Sequence, residues 1–334
     1  MKIAVTGALG HIGSRLIREL PVWAKGADML LIDNLATQRY CSLFGLPAGS
    51  RYTFLEADIL KADLNEILKG QDVVVHLAAI TDATSSFDRP EDVEEVNCIG
   101  ATRVAHACAE TGGALIFPST TSVYGPQGDT VAEDCPESDL NPQSPYAESK
   151  LRGEKHIQEL ARQGLRAVVF RFGTIFGTSP GMRFHTAINK FCWQAALDLP
   201  LTVWRTALDQ RRPYLDLSDA VRAITFAIEQ DLFDGRVYNV VTLNATVRQL
   251  IETIESFVPA LSIEYVDTRI MNQLSYNVSS ARLTELGFCF TGNLENGIRE
   301  TIGQLEGLCW TIRHPRTPSG PLSGGPGPNE YRKA

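Results

Sequence analysis

Short, continuous apolar segments alternate with helical ones through the first half of this chain, and that alternation constrains the fold most. Residues 1–6, 29–32, 52–55, 73–77, 115–118 and 167–172 read as strands. Helical patterns lie between them, clearest at 93–111 and 146–162. A strand that is apolar along its whole length must be covered on both faces. Parallel sheets with helices above and below meet that need. Right-handed crossovers then give a doubly wound α/β sheet. Pro21 is expected to close the first helix. With 334 residues, the chain has room for a second, smaller unit.

After about residue 173 the alternation becomes irregular. Helices are expected at 187–196, 217–229, 247–257 and 294–305, and extended chain at 201–204 and 237–241. The expected division is a nucleotide-binding unit over 1–172, to which 213–241 returns. Residues 173–212 and 242–312 would form a smaller α/β substrate unit. From about His314 the composition turns to Pro, Gly and Ser. A tail at 313–334 is expected to stay mobile, since such a segment buries too little apolar surface to order itself.

Composition narrows the function. A formal net charge of −8, with no polybasic run, argues against nucleic acid as the main partner. No apolar run approaches the roughly 20 residues needed to span a bilayer. The chain opens directly on a strand, so no signal peptide is expected. Seven cysteines form no paired framework, which suggests reduced thiols in a cytoplasmic compartment. Histidine and cysteine show no ligand spacing, so no metal is expected.

The first strand runs into Gly7-Ala8-Leu9-Gly10-His11-Ile12-Gly13 and then a helix. Glycines let the backbone approach a pyrophosphate, and the helix N-terminus offers N–H groups and a positive dipole end. The spacing is G-x-x-G-x-x-G rather than G-x-G-x-x-G. Asp33 ends the second strand, 20 residues after Gly13. A carboxylate there accepts from a ribose 2′-hydroxyl and repels a 2′-phosphate, favouring NAD over NADP. Asp58, after the third strand, is a candidate for the adenine or an ordinary strand-end residue. Tyr146 and Lys150 share one helix face. A nearby cation lowers a phenol's pKa and makes it a usable general base. His76 reads as a packed strand-end residue and His106 as a structural helix residue.

Together these motifs resemble the extended short-chain dehydrogenase/reductases over roughly residues 1–312. The residues that carry the likeness are T-G-A-L-G-H-I-G at 6–13, D-N-L at 33–35 and H-L-A-A at 76–79. Asn97, S-T-T-S-V-Y-G at 119–125, Y-A-E-S-K at 146–150, R-F-G-T-I-F-G at 171–177 and R-R-P-Y-L-D-L-S-D at 211–219 complete it. The overall pattern is most similar to UDP-galactose 4-epimerase-like enzymes. The resemblance implies a Rossmann domain holding NAD, a nucleotide-sugar substrate with UDP favoured, and a homodimer built on the helices at 93–111 and 146–162.

It implies Tyr146 as acid/base, Lys150 as its partner and ribose contact, and Thr120 as the hydroxyl that orients the substrate. Thr121 and Ser119 remain competitors for Thr120. The cofactor would lie along Gly7, Gly10, His11, Ile12, Gly13, Asp33, Asn34, Asp58, Ile59, Leu77, Ala78, Ala79 and Asn97. Thr174, Asn189, Arg212 and Arg269 join Thr120, Thr121 and Tyr146 as substrate candidates. The two arginines are offered for the diphosphate, with a surface role as the alternative. Thr174 stands where R-x-x-N is common in the family, which leaves the sugar open.

Thr121-Ser122 replaces the acidic pair that family dehydratases use, and the Glu of decarboxylating members is missing too. Dehydration and decarboxylation are thereby disfavoured, because water elimination needs one carboxyl as acid and another as base. The expected reaction is an NAD-dependent 4-epimerisation through a 4-keto sugar. The alternatives are a net nucleotide-sugar reductase or dehydrogenase and, behind it, a dehydratase.

Overall fold

The structure, a computed structural model, describes residues 1–125, 130–266 and 276–308. Seven parallel strands form the main sheet: β1 (Lys2–Thr6), β2 (Asp28–Asp33), β3 (Arg51–Glu56), β4 (Val73–His76), β5 (Ala114–Thr120), then β7 (Ala167–Phe172) and β11 (Asp234–Val240). Their order is β11-β7-β5-β4-β1-β2-β3. The chain therefore fills one side with β2 and β3, then crosses over β1 to fill the other. Ligand crevices form where strand order reverses, outside the carboxyl ends of the strands. Here that point lies between β1 and β4.

Both faces of the sheet are buried, which explains the unbroken apolar strands. Ile3, Val5, Ile116 and Phe170 point into one core, with α1 (His11–Trp23) and α7 (Leu217–Glu229). Ala4, Val74, Leu115 and Val169 point into the other. That second face is covered by α2 (Leu64–Leu68), α4 (Gly100–Thr111) and α5 (Pro145–Arg162).

Two helices differ from the expected pattern. α1 runs to Trp23 with Pro21 inside it. Pro21 sits in the last turn, where its missing N–H removes one bond, and the turn still closes as Ala24 N–H donates to Leu20 O at 2.8 Å. The stretch at 93–111 is not one α-helix. α3 (Pro90–Glu94) passes through a π-helical turn, Glu95–Ile99, into α4. Asn97 lies on the buried side of that turn, 1% exposed, so an amide interrupts the apolar period.

The remaining elements build a smaller layer. β8 (Thr174–Phe176), β10 (Arg211–Asp216) and β12 (Leu243–Thr246) form a three-stranded sheet. β9 (Leu201–Trp204) pairs with β13 (Ile263–Val266), and β6 (Thr130–Val131) with β14 (Asn277–Val278). Around them pack α6 (Ala187–Ala196), α8 (Val247–Glu255) and α10 (Leu294–Gly303), sharing a core that includes Phe176, Phe191, Tyr214 and Leu250. α9 (Ala281–Glu285) packs beside β11. Within 213–241, residues 213–216 stay in the small sheet on β10, while α7 packs on α1 and β11 pairs with β7. Among the described residues no helix is long and apolar enough to cross a membrane.

Candidate active site

The glycine loop joins β1 to α1 at the reversal point. Gly7 has φ +64°, and a Cβ there would lie 2.6 Å from Ala78 N. A Cβ on Gly13 would lie 2.6 Å from the carbonyls of Gly7 and Ala8. Both positions thus exclude any side chain. Gly10 caps α1, whose first turn carries no acidic residue. The helix end therefore keeps its free N–H groups and positive dipole for an anion. Asp33 at the end of β2 accepts from Leu9 N at 3.1 Å and Leu35 N at 3.0 Å. It is half-buried, and a carboxylate has lone pairs left for a ribose diol. This cradle fits a dinucleotide.

The other cofactor candidates divide by what they touch. Asn34 is exposed and closes a turn on Ala36 N. Ile12 is half-buried in the first turn of α1. Asp58 accepts from Leu60 N at 3.0 Å, and Ile59 packs on Gly100. Leu77, Ala78 and Ala79 form the half-buried wall after β4. Asn97 holds that wall: its Oδ1 accepts from Ile80 N and its Nδ2 donates to Ile80 O, both at 2.8 Å. Its amide also donates to Ser149 Oγ at 3.2 Å, tying the wall to α5. His11 is buried, with Nδ1 2.8 Å from Ser179 Oγ and Nε2 unpartnered. Burial, reinforced by Arg183 and Arg39, pushes it down to about 3, so it is neutral at physiological pH.

The reaction end is assembled by β5 and α5. Thr120 is the last residue of β5, and its Oγ1 accepts from Ser122 N at 3.1 Å. The Thr120 hydroxyl faces the Tyr146 phenol and favours its ionised form. Ser119 is buried with its hydroxyl unpartnered, and Thr121 enters a 3-10 turn, so neither takes that place. Tyr146 stands in the first turn of α5, which Ser144 caps by accepting from Ala147 N.

Lys150 is buried. Its Nζ donates to Pro118 O at 2.7 Å and lies 4.5 Å from the Phe117 ring centroid. Burial pushes Lys150 down to about 7. Burial also raises Tyr146, opposed by the facing Thr120 hydroxyl and by the charge of Arg183. The expected helix face is present, yet the cation acting on the phenol is Arg183. The reason is that Lys150 is drawn down to a sheet carbonyl instead.

The substrate candidates fall on the small sheet and its connections. Thr174 is half-buried on β8, paired with Tyr214. Asn189 is fully buried and spent on backbone, accepting from Gly177 N and donating to Arg183 O. Arg212 donates to Gln210 and its charge faces the Tyr276 phenol, whose hydroxyl donates to Thr121 O at 3.2 Å. Arg212 is thereby linked to the turn after Thr120. Arg269 lies outside the described residues, as does the tail at 313–334. His76 is packed as expected, its Nδ1 2.7 Å from Thr6 Oγ1, and burial lowers it to about 3. His106 is exposed on α4.

Two features lie beyond the sequence reading. Arg183, in the connection from β8 to α6, donates to Thr81 Oγ1. Only its place in Gly181-Met182-Arg183-Phe184-His185 marks it, which is no signal. The second is a buried pair: Arg171 on β7 bonds Glu154 on α5, and Arg171 also donates to Tyr124 OH at 2.8 Å. Glu154 lies four residues after Lys150, and that spacing alone hinted at a shared face.

The chain belongs to the NAD dependent epimerase/dehydratase family, whose model matches residues 3–240. It is 35% identical over 250 residues to the uncharacterized UDP-glucose epimerase YtcB of Bacillus subtilis, covering 72% of this chain and 76% of that one. A trifunctional UDP-glucose 4,6-dehydratase/UDP-4-keto-6-deoxy-D-glucose 3,5-epimerase/UDP-4-keto-L-rhamnose-reductase of Arabidopsis thaliana is 28% identical over 322 residues. That match covers 90% of this chain but 46% of the relative, so the chain spans about half of its length. Among solved structures, UDP-glucuronic acid 4-epimerase from Bacillus cereus, in complex with UDP-glucuronic acid and NAD, aligns with TM-score 0.80. The identity is 27%, over 91% of this chain and 99% of that one. The doubly wound α/β fold is thus common to both.

Proposed function

We propose that the protein is an NAD-dependent nucleotide-sugar 4-epimerase, with a UDP-sugar as substrate. The observation that carries this reading is the meeting of Thr120, at the end of β5, with Tyr146, in the first turn of α5, at the reversal-point crevice, followed by Thr121-Ser122 rather than carboxylates. One proton-transferring group without a second acid or base suits reversible oxidation of a hydroxyl and does not suit elimination.

Tyr146 takes the 4-hydroxyl proton and later returns it, with Thr120 orienting that hydroxyl. NAD, when bound, would supply the reversible acceptor for the C4 hydride. Asp33 holds the adenosine ribose and disfavours a 2′-phosphate. Lys150 lines the ribose at the nicotinamide end and Arg212 anchors the substrate diphosphate while the sugar turns. The main sheet with its helices, α7 and β11 included, forms the cofactor unit, and the small sheets with α6, α8 and α10 the sugar-nucleotide unit. The protein works as a cytoplasmic homodimer whose interface uses α3, α4 and α5.

The test incubates NAD-loaded protein with a panel of UDP-, GDP- and dTDP-sugars. Interconversion of C4 epimers without accumulation of reduced nicotinamide is expected. Stoichiometric cofactor turnover, or loss of water from the sugar, would overturn the reading. Tyr146→Phe should abolish conversion while retaining NAD.

A further inference from the structure

The connection from β8 to α6 lies on the cofactor loop. Ser179 Oγ is 2.8 Å from His11 Nδ1, and Gly181 N–H donates to Ser14 Oγ at 2.9 Å. A Cβ on Gly181 would fall 2.3 Å from Leu9 O, so the two chain segments are in direct contact. Asn189 fixes the same connection from its other side through Gly177 N and Arg183 O. Between these anchors the Arg183 side chain reaches the wall after β4, where Nη2 donates to Thr81 Oγ1. Thr81 adjoins Ile80, which Asn97 clamps. Arg183 is thus fixed at its carbonyl by Asn189 and at its guanidinium by the Thr81 hydroxyl.

Its guanidinium has no carboxylate partner. Arg183 makes no ion pair among the described residues, and its Nε is buried without an acceptor. The acidic neighbour acting on it is Asp82, whose oxygen already accepts from Thr84 N at 3.0 Å and Ser85 N at 3.3 Å. The other charged or titratable groups facing it are Arg39, His185, His11 and the Tyr146 phenol. A largely desolvated guanidinium among basic groups is costly, and an anionic ligand would offset that cost. Arginine matches a planar carboxylate well.

We infer that Arg183 recognises a carboxylate on the sugar, making the substrate a nucleotide-linked uronic acid. This rests on the 4-epimerase reading for one point, that C4 sits at Tyr146. Carbon 6 is two bonds from C4, whereas the diphosphate leaves from C1 across the ring. An arginine whose charge acts on Tyr146 and whose Nη2 reaches Thr81 therefore stands nearer the C6 substituent than the diphosphate. Thr81, bonded to the same guanidinium, gives the carboxylate a hydroxyl donor.

The test is calorimetric titration of NAD-loaded protein with UDP-glucuronic acid, UDP-glucose and UDP, on the parent, Arg183→Met and Arg183→Lys. The parent should bind UDP-glucuronic acid at least about tenfold tighter than UDP-glucose. Arg183→Met should weaken UDP-glucuronic acid by about 30-fold or more, as truncating one partner of a desolvated charge pair does. It should weaken UDP less than about threefold, and Arg183→Lys should recover part of the loss. Equal or tighter binding of UDP-glucose by the parent overturns the inference. So does equal weakening of all three ligands, or loss of NAD, which would assign Arg183 to a diphosphate. Titration does not need turnover. A uronate preference without epimerisation would sink the reaction and keep the substrate class, and epimerisation of neutral sugars alone would do the reverse.

Discussion

Replacing Arg171 by Leu should destabilise the protein by about 3–5 kcal/mol, the usual cost of breaking a buried ion pair from one side. Arg171 is 4% exposed and Glu154 1%. The substitution leaves the Glu154 carboxylate without its two guanidinium donors, in a place water does not reach. It also removes the donor to Tyr124 OH, whose remaining bond is to Asn239 Oδ1 at 2.8 Å. Removing both charges with Arg171→Leu and Glu154→Leu together should cost far less than the sum of the single changes. Buried pairs are often replaceable by apolar groups, and residues in direct contact do not behave additively.

The assay is a double-mutant cycle by urea denaturation of NAD-free protein, with a coupling of about 2 kcal/mol or more expected. Additive losses, or an Arg171→Leu cost under about 1 kcal/mol, would refute the reasoning. The pair also bears on the site, because Arg171 sits opposite Ser119 in the β5–β7 register and Glu154 lies one turn beyond Lys150. In the double variant kcat should therefore fall more than KM rises, since Tyr146 and Thr120 are held by the two elements the pair joins.

Lys150→Met should stabilise cofactor-free protein, most at low pH. Burial takes Lys150 from 10.5 to about 7, so the cost of its buried charge is fully present below pH 7. That cost, on the order of 4 kcal/mol, is relieved as pH rises from 7 towards 10.5, where the unfolded chain binds more protons. The urea-midpoint difference between variant and parent should shrink from pH 6.5 to pH 9.5, and a constant difference would count against it. Thr120→Ala should lower kcat by about 10- to 100-fold with little change in NAD affinity, and Thr120→Ser should restore most of the rate. Gly7→Ala should abolish NAD binding, measured by fluorescence quenching, because of the left-handed backbone and the 2.6 Å approach to Ala78 N. Asp33→Asn should narrow the preference for NAD over NADP by about tenfold or more in competitive binding, as it removes the charge that repels a 2′-phosphate.

The sequence was most legible where physical cause is local. Unbroken apolar strands, helical periods between them and glycines that only a tight turn requires placed six strands of the main sheet within a residue or two, and β11 began three residues before its expected start. The Pro21 and 93–111 helices were less legible. A proline in a last turn costs little, and a π turn has no spacing of its own in an apolar pattern. Asn97 and Asn189 were legible as polar residues in the right region. What each amide bonds could not be read, because Ile80 lies 17 residues from Asn97 and Arg183 meets Asn189 through an irregular connection with no period to reveal it.

By itself, then, the sequence determined a doubly wound sheet, a glycine loop opening the first helix with Asp33 at the end of the second strand, and Tyr146 and Lys150 on one helix face. These follow from periods of a few residues. Only the tertiary structure decided how the charges are used. It turned Lys150 to Pro118 O, 32 residues back, and set Arg183 against Thr81, 102 residues away. It also closed Arg171 on Glu154 in a dry interior. The strength of a charge depends on which groups surround it and how much water they exclude, and in this chain those groups come from distant segments.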